Sequence, residues 1–146
     1  MNTMSRHNWR ANEDKMFEEL NQKVFSEDPI LKSSDKLNSV DTYNSNYVLE
    51  LKNREKYSPF AFNGSFIEEI KYRPLMEKAK KYNRIPGYIV KFNDGSYYAW
   101  NLKKILAERE LHWYPMQLPR STHFGSTNLK TKRVADLYLP EATKLI

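Results

Sequence analysis

The sequence predicts a single α/β domain in the order helix, β-hairpin, helix, β-hairpin, strand. Three observations carry that prediction. The stretch NEDKMFEELNQKVF (residues 12–25) spaces Met16, Phe17, Leu20 and Val24 as one helical stripe. LNSVDTY and YVLELKNR flank the turn-forming Asn44-Ser45-Asn46. GYIVKF and SYYAWNL flank Asn93-Asp94-Gly95, the strongest short hairpin signal in the chain. At 146 residues the chain suffices for one domain with its own core.

Each element has a local reason. In the first helix Glu13 lies four residues before Phe17, on the apolar stripe, while Glu18 and Glu19 point further round toward solvent. SEDPILKSSDK, with Pro29 and paired serines, reads as a loop or irregular edge. NREKYSPFAFNG (residues 53–64) reads as an aromatic loop ending in Gly64. Ser65 with Glu68 forms a capping-box pattern that opens a helix over SFIEEIKYRPLMEKAKKY, kinked or split at Pro74. Ile85-Pro86-Gly87 ends it. WYPMQLPRSTHFGSTNLKTKR reads as a long basic loop and VADLYLP as a last strand, so residues 12–101 form the expected core and 113–146 a basic C-terminal extension of the same domain (1–146).

Composition narrows the chemistry. With no cysteine, disulfides, thiolate zinc sites and thiol catalysis are excluded. The four glycines form no phosphate-cradling loop. No apolar run reaches spanning length, and the expectation is a soluble cytoplasmic protein without membrane contact. The balance of 24 Lys+Arg against 18 Asp+Glu, net +6, suits an anionic partner, most often nucleic acid.

The first hairpin holds the residues that need explanation. Side chains alternate along a strand, so Tyr47, Leu49 and Leu51 share one face and Val48, Glu50 and Lys52 the other. With Ser45 and Asn46 at the tip, Thr42 falls opposite Leu49 and Asp41 opposite Glu50. Like charges directly opposed are destabilising. A divalent cation between two carboxylates reverses that, and Mg²⁺ is commonly held by one or two carboxylates together with substrate phosphates. Lys52, one pleat further on the same face, is placed to orient or deprotonate an attacking water or to steady charge on a phosphate. The alternative reading is a solvated face carrying an ordinary Glu-Lys pair.

Asp41, eight intervening residues and then Glu50-Leu51-Lys52, set within helix, hairpin, helix and strand, resemble the PD-(D/E)xK nuclease superfamily, in particular its small phage-type and resolvase-like members. The resemblance covers most of residues 12–92. It implies a restriction-endonuclease-like core with a mixed sheet flanked by helices, and a metal-dependent endonuclease hydrolysing DNA phosphodiester bonds. Asp41 and Glu50 would bind Mg²⁺ or Mn²⁺, with the Leu51 carbonyl as a further ligand, and Lys52 would assist catalysis. Many members add a first-helix glutamate; Glu13 is the first choice here and Glu19 the second. Val40 stands where the motif has proline. No separate recognition domain fits in this length, which favours structure-selective cleavage and a possible homodimer. The competing classes are a non-catalytic nucleic-acid-binding protein on the same scaffold and a protein–protein module.

Other residues carry weaker signals. Arg120, Lys130, Lys132 and Arg133, with His123 and Phe124, would form a basic aromatic loop able to track a phosphate backbone. Lys71 on the second helix is read as solvated rather than catalytic. Tyr57, Phe60 and Phe62 are read as core packing rather than as base-stacking groups. His7, His112 and His123 show no metal-ligand spacing.

Overall fold

The computed structural model describes residues 6–32, 42–119 and 129–146. Asp41, Val40, Arg120, His123 and Phe124 lie outside them. Helix α1 (Arg6–Lys23) is followed by strands β1 (Leu31–Lys32), β2 (Thr42–Tyr43), β3 (Tyr47–Arg54) and β4 (Gly64–Glu68). Helix α2 (Glu69–Tyr82), β5 (Ile85–Phe92), β6 (Tyr97–Asn101) and α3 (Leu102–Glu108) come next. Strands β7 (Trp113–Pro119) and β8 (Leu129–Tyr138), a short 3₁₀ turn (Leu139–Glu141) and β9 (Thr143–Lys144) complete the chain.

A six-stranded sheet runs β1-β2-β3-β5-β6-β9, and a three-stranded sheet runs β4-β8-β7. Among the described strands only β3 and β5 pair in parallel, joined by a crossover through β4 and α2. Both expected hairpins are present. Thr42 pairs with Leu49 and Tyr43 with Val48, the register read from the sequence. The Asn44 side chain explains the tight first turn: its Oδ1 accepts from the backbone of Asn46 and Tyr47 at 3.0 and 2.8 Å. Asp28 clamps the same turn by accepting from the Ser45 hydroxyl.

The large sheet is buried on both faces. Leu49, Ile89 and Tyr97 pack under Met16 and Leu20 of α1. Val48, Tyr88, Val90, Phe92 and Trp100 pack under Leu75 and Ala79 of α2, Leu102 and Ile105 of α3, and Ile67, Ala135 and Leu137 of the small sheet.

Four sequence expectations are corrected. Residues 64–68 are a strand, not the first turn of a helix: Ser65 pairs with Leu137, and Glu68 makes no side-chain cap. Of the kink or split expected at Pro74, the split does not occur, since α2 runs through it as one helix; the carbonyl left without a donor belongs to solvent-exposed Ile70. It ends at left-handed Asn83, so Ile85-Pro86-Gly87 already belong to β5. The expected basic loop over 113–133 contributes strands β7 and β8, whose buried Val134, Ala135 and Leu137 belong to the core. Helix α3 was not anticipated, although Asn101 caps it by accepting from the Lys104 N–H at 3.1 Å.

Gly64 enforces the entry into β4. Its φ is +131°, and a Cβ there would stand 2.1 Å from the Leu137 carbonyl oxygen, a backbone atom that cannot swing away. Gly64→Ala should therefore cost about 2–4 kcal/mol by urea denaturation. Gly95→Ala, with φ +84° but open space around the new methyl, should cost only about 1 kcal/mol.

Candidate active site

Strand β3 brings Glu50, Lys52 and Arg54 onto one face, opposite Tyr88, Val90 and Phe92 in the parallel register with β5. This is the face covered by α2 and the small sheet, so the charges point into a partly closed space rather than open solvent. Phe66 and Glu68 share a face of β4 and meet them there. The Arg54 guanidinium lies 4.2 Å from the Phe66 ring centre, and the Lys52 ammonium is 3.9 Å from Glu68.

Glu68 is the buried carboxylate of the group, its side chain only 8% exposed. Besides Lys52 it holds Lys132 at 3.0 Å. Lys132 sits diagonally across the antiparallel β4–β8 pair, where Glu68 faces Val134, so a long side chain spans the gap. Burial pushes the Glu68 carboxyl up, but the Lys132 hydrogen bond and the charges of Lys52, Lys132 and Arg54 bring it below the ordinary range. Burial also lowers the Lys52 ammonium, as does Arg54; Glu68 and Glu50 oppose them, and Lys71 adds a further lowering. Beneath, buried Tyr88 has its hydroxyl pushed up to about 12 by desolvation.

The sequence-derived residues fall out as follows. Glu50 and Lys52 lie on one face, close enough to interact electrostatically, with Leu51 on the opposite face beside Leu49. Asp41 lies outside the described residues. Glu13 pairs with Lys32 of the edge strand at 3.7 Å. Glu19 does not simply face solvent: it accepts from the buried Tyr97 hydroxyl at 2.7 Å and lies 4.0 Å from Lys91, a structural engagement on the α1 side of the sheet. Lys71 stands close enough to depress Lys52, so it belongs to the site's field rather than to solvent alone. Lys130, Lys132 and Arg133 are on strand β8 rather than in a loop; Lys132 faces Glu68 and Arg133 lies 3.3 Å from Glu69. Glu68, Arg54 and Tyr88 were not singled out. Glu68 was absorbed into a helix cap, and Arg54 continues the alternation of Glu50 and Lys52, the signal that reveals it.

The donor chemistry suits a hard cation. Glu50 offers carboxylate oxygen and the backbone offers carbonyls, the ligand types preferred by Mg²⁺ and Mn²⁺. Among the described residues no group of three His, Cys, Asp or Glu side chains is placed to close around an ion, and Asp41 lies outside them.

Because the Glu68 pKa is lower folded than unfolded, this group contributes stability above its ordinary 4.5 and loses it as pH falls through the folded value. Glu68→Gln should cost about 3 kcal/mol near neutrality, since it leaves Lys52 and Lys132 uncompensated. The gap between wild type and variant should close in acid. Urea midpoints of both proteins across that range check the sign.

No protein-family model matches the chain, and no curated protein matches it. Among solved structures it is similar to the Hjc Holliday junction resolvase of Archaeoglobus fulgidus, at a TM-score of 0.52 and 10% identity. That match covers 88% of this chain and 94% of the resolvase. Together with the mixed sheet between helices, it establishes a restriction-endonuclease-like fold.

Proposed function

We propose that this protein is a metal-dependent endonuclease of the PD-(D/E)xK type that cleaves DNA, with branched DNA as its preferred substrate. The observation that carries the reading is the alternation of Glu50, Lys52 and Arg54 on the covered face of β3, in a fold shared with a Holliday junction resolvase. The net charge of +6 supports an anionic partner. No helix among the described residues is long and apolar enough to cross a membrane.

In this reading Asp41 and Glu50 hold Mg²⁺ or Mn²⁺, with the Leu51 carbonyl as a further ligand and Glu13 as the first-helix acid. The cation, when bound, supplies Lewis-acid charge beside the scissile phosphate. Lys52 orients the attacking water and takes up its proton; partial burial makes its neutral form more accessible than in an ordinary lysine. Glu68 keeps the ammonium in place without neutralising the surroundings, because Lys132, Arg54 and Lys71 leave the pocket positive toward a phosphate. Lys130, Lys132 and Arg133 on β8, with Arg120, guide the backbone of the DNA. A homodimer would present two such sites to a symmetric junction.

Four-way junction, linear duplex and single-stranded DNA should be incubated with Mg²⁺, Mn²⁺ or chelator at low salt. Cleavage should need the metal and favour the junction. Glu50→Gln should lower the rate by at least about 100-fold while leaving DNA binding intact. It should also abolish the rise in melting temperature that Mg²⁺ gives the wild type by mass action. DNA binding with no cleavage by the wild type in either metal would instead support the non-catalytic reading.

The basic strand gives a separate expectation. Charge reversal at Lys130 and Arg133 should flatten the fall of DNA affinity with salt, by roughly one unit of log–log slope for each phosphate that is no longer neutralised. An unchanged slope in a filter-binding titration would remove β8 from the interface.

A further inference from the structure

The loop after β3 exposes three aromatic rings: Tyr57 is 40% accessible, Phe60 71% and Phe62 68%. They do not pack the core, contrary to expectation. Large apolar side chains grouped on one short loop mark a contact surface. The loop is also held rigidly. The Tyr57 N–H donates to the Arg54 carbonyl at 3.0 Å, and Gly64 N–H to Pro59 at 3.1 Å. Its two ends are tied to other elements, with Asn93 N–H on the Tyr57 carbonyl at 2.9 Å and Leu139 N–H on the Asn63 carbonyl at 2.7 Å. Tyr57 and Phe62 brace each other edge to face, 5.1 Å apart. A backbone tied down in this way leaves less to be ordered when a ring stacks on a ligand.

Beside these rings Arg54 and Lys56 outnumber the one acid, Glu55, which accepts from the Asn53 side chain. Exposed Lys56 lies within the loop. Arg54 lines a small cleft with Tyr57, Phe62, Phe66 and Phe92. Its Nε and Nη2 are buried and find no hydrogen-bond partner among the described residues. The guanidinium is stacked on Phe66 and hydrogen-bonded to Tyr88, so it adds fixed positive charge at the base of the loop. An apolar protein partner would cover the rings but offer nothing to exposed Lys56 or to the net charge of +6; a nucleotide has both an aromatic face and a phosphate. Arg54 is two residues from Lys52 along β3, roughly 7 Å, so a base on this loop would belong to a nucleotide close to the one being cleaved.

We propose that the loop of residues 55–63, with Arg54 at its base, is a stacking platform for unpaired nucleobases of DNA, Phe60 and Phe62 supplying the exposed rings. Its relation to cleavage rests on the nuclease reading above; its binding of unstacked bases does not. Base–aromatic stacking is tolerant of sequence, so the platform would recognise the opened centre of a branched DNA rather than a base order.

The test uses the full-length protein in chelator with a four-way junction carrying 2-aminopurine at the branch point. Binding should quench the probe, whereas the same probe within continuous duplex should change little. The Phe60→Ala/Phe62→Ala variant, altered only at exposed positions, should lose the quench and bind the junction roughly tenfold more weakly. Phe60→Trp/Phe62→Trp should keep both. Junction binding without quench by the wild type, or undiminished quench and affinity in the alanine variant, overturns the platform. So does a wild-type dimer in sedimentation that the alanine variant breaks while the quench persists, because the rings would then serve self-association. The metal-dependent cleavage assay is scored separately. Quench without cleavage keeps the platform and removes the nuclease; cleavage with an unaffected alanine variant does the reverse.

Discussion

A lysine that surrenders much of its hydration needs a negative charge at hand, and on the covered side of β3 that charge is Glu68. Its carboxylate lies between Lys52 at 3.9 Å and Lys132 at 3.0 Å, so one buried acid ties the central strand of the large sheet to the middle strand of the small one. The desolvation cost of such a pair is close to what its attraction returns. Its value lies in geometry: Lys52 is held on the face it shares with Glu50, and the small sheet is kept against α2 and β3 in the register that buries Ile67, Ala135 and Leu137.

The two faces of β3 divide the labour. Leu49 and Leu51 pack with α1 through contacts that any apolar strand could make. Glu50, Lys52 and Arg54 occupy the other face, where α2 and β4 close over them only in part. That partial closure keeps Lys52 poised: water is excluded enough to lower its pKa, while the neighbouring acids prevent the ammonium from becoming untenable. Glu50 sits beside Tyr88, whose burial holds its hydroxyl protonated and leaves ionisation to the carboxylates and Lys52.

Basic charge is similarly partitioned. Lys132 and Arg133 are adjacent in sequence yet do different things, because consecutive residues of a strand leave it on opposite sides: one is engaged by buried Glu68, the other by Glu69 at the start of α2. The basic surface of β8 is thus built partly from residues that also hold the fold together. The aromatic loop has no such double duty. Pinned by backbone hydrogen bonds and projecting its rings outward, it depends on the fold for position and gives the core little in return.

Both hairpins and the first helix were legible because their signals are local: turn residues at 44–46 and 93–95, and an apolar stripe of period 3.6. The β2–β3 register followed from the same turn, and with it the shared face of Glu50 and Lys52. Residues 64–68 were misread because Ser65 and Glu68 spell a helix cap locally, whereas the strand exists only through partners more than sixty residues away on β8. The same distance hid the role of Glu68, since nothing near it in sequence announces Lys132. Proline and glycine in 113–133 suggested a loop, and cross-strand pairing and burial made strands of the described parts. Short-range chemistry settled the two hairpins, the first helix and the shared face of Glu50 and Lys52; the buried carboxylate, the second sheet and the exposure of Phe60 and Phe62 were decided by tertiary contacts, whose free energy depends on which distant surfaces exclude water together.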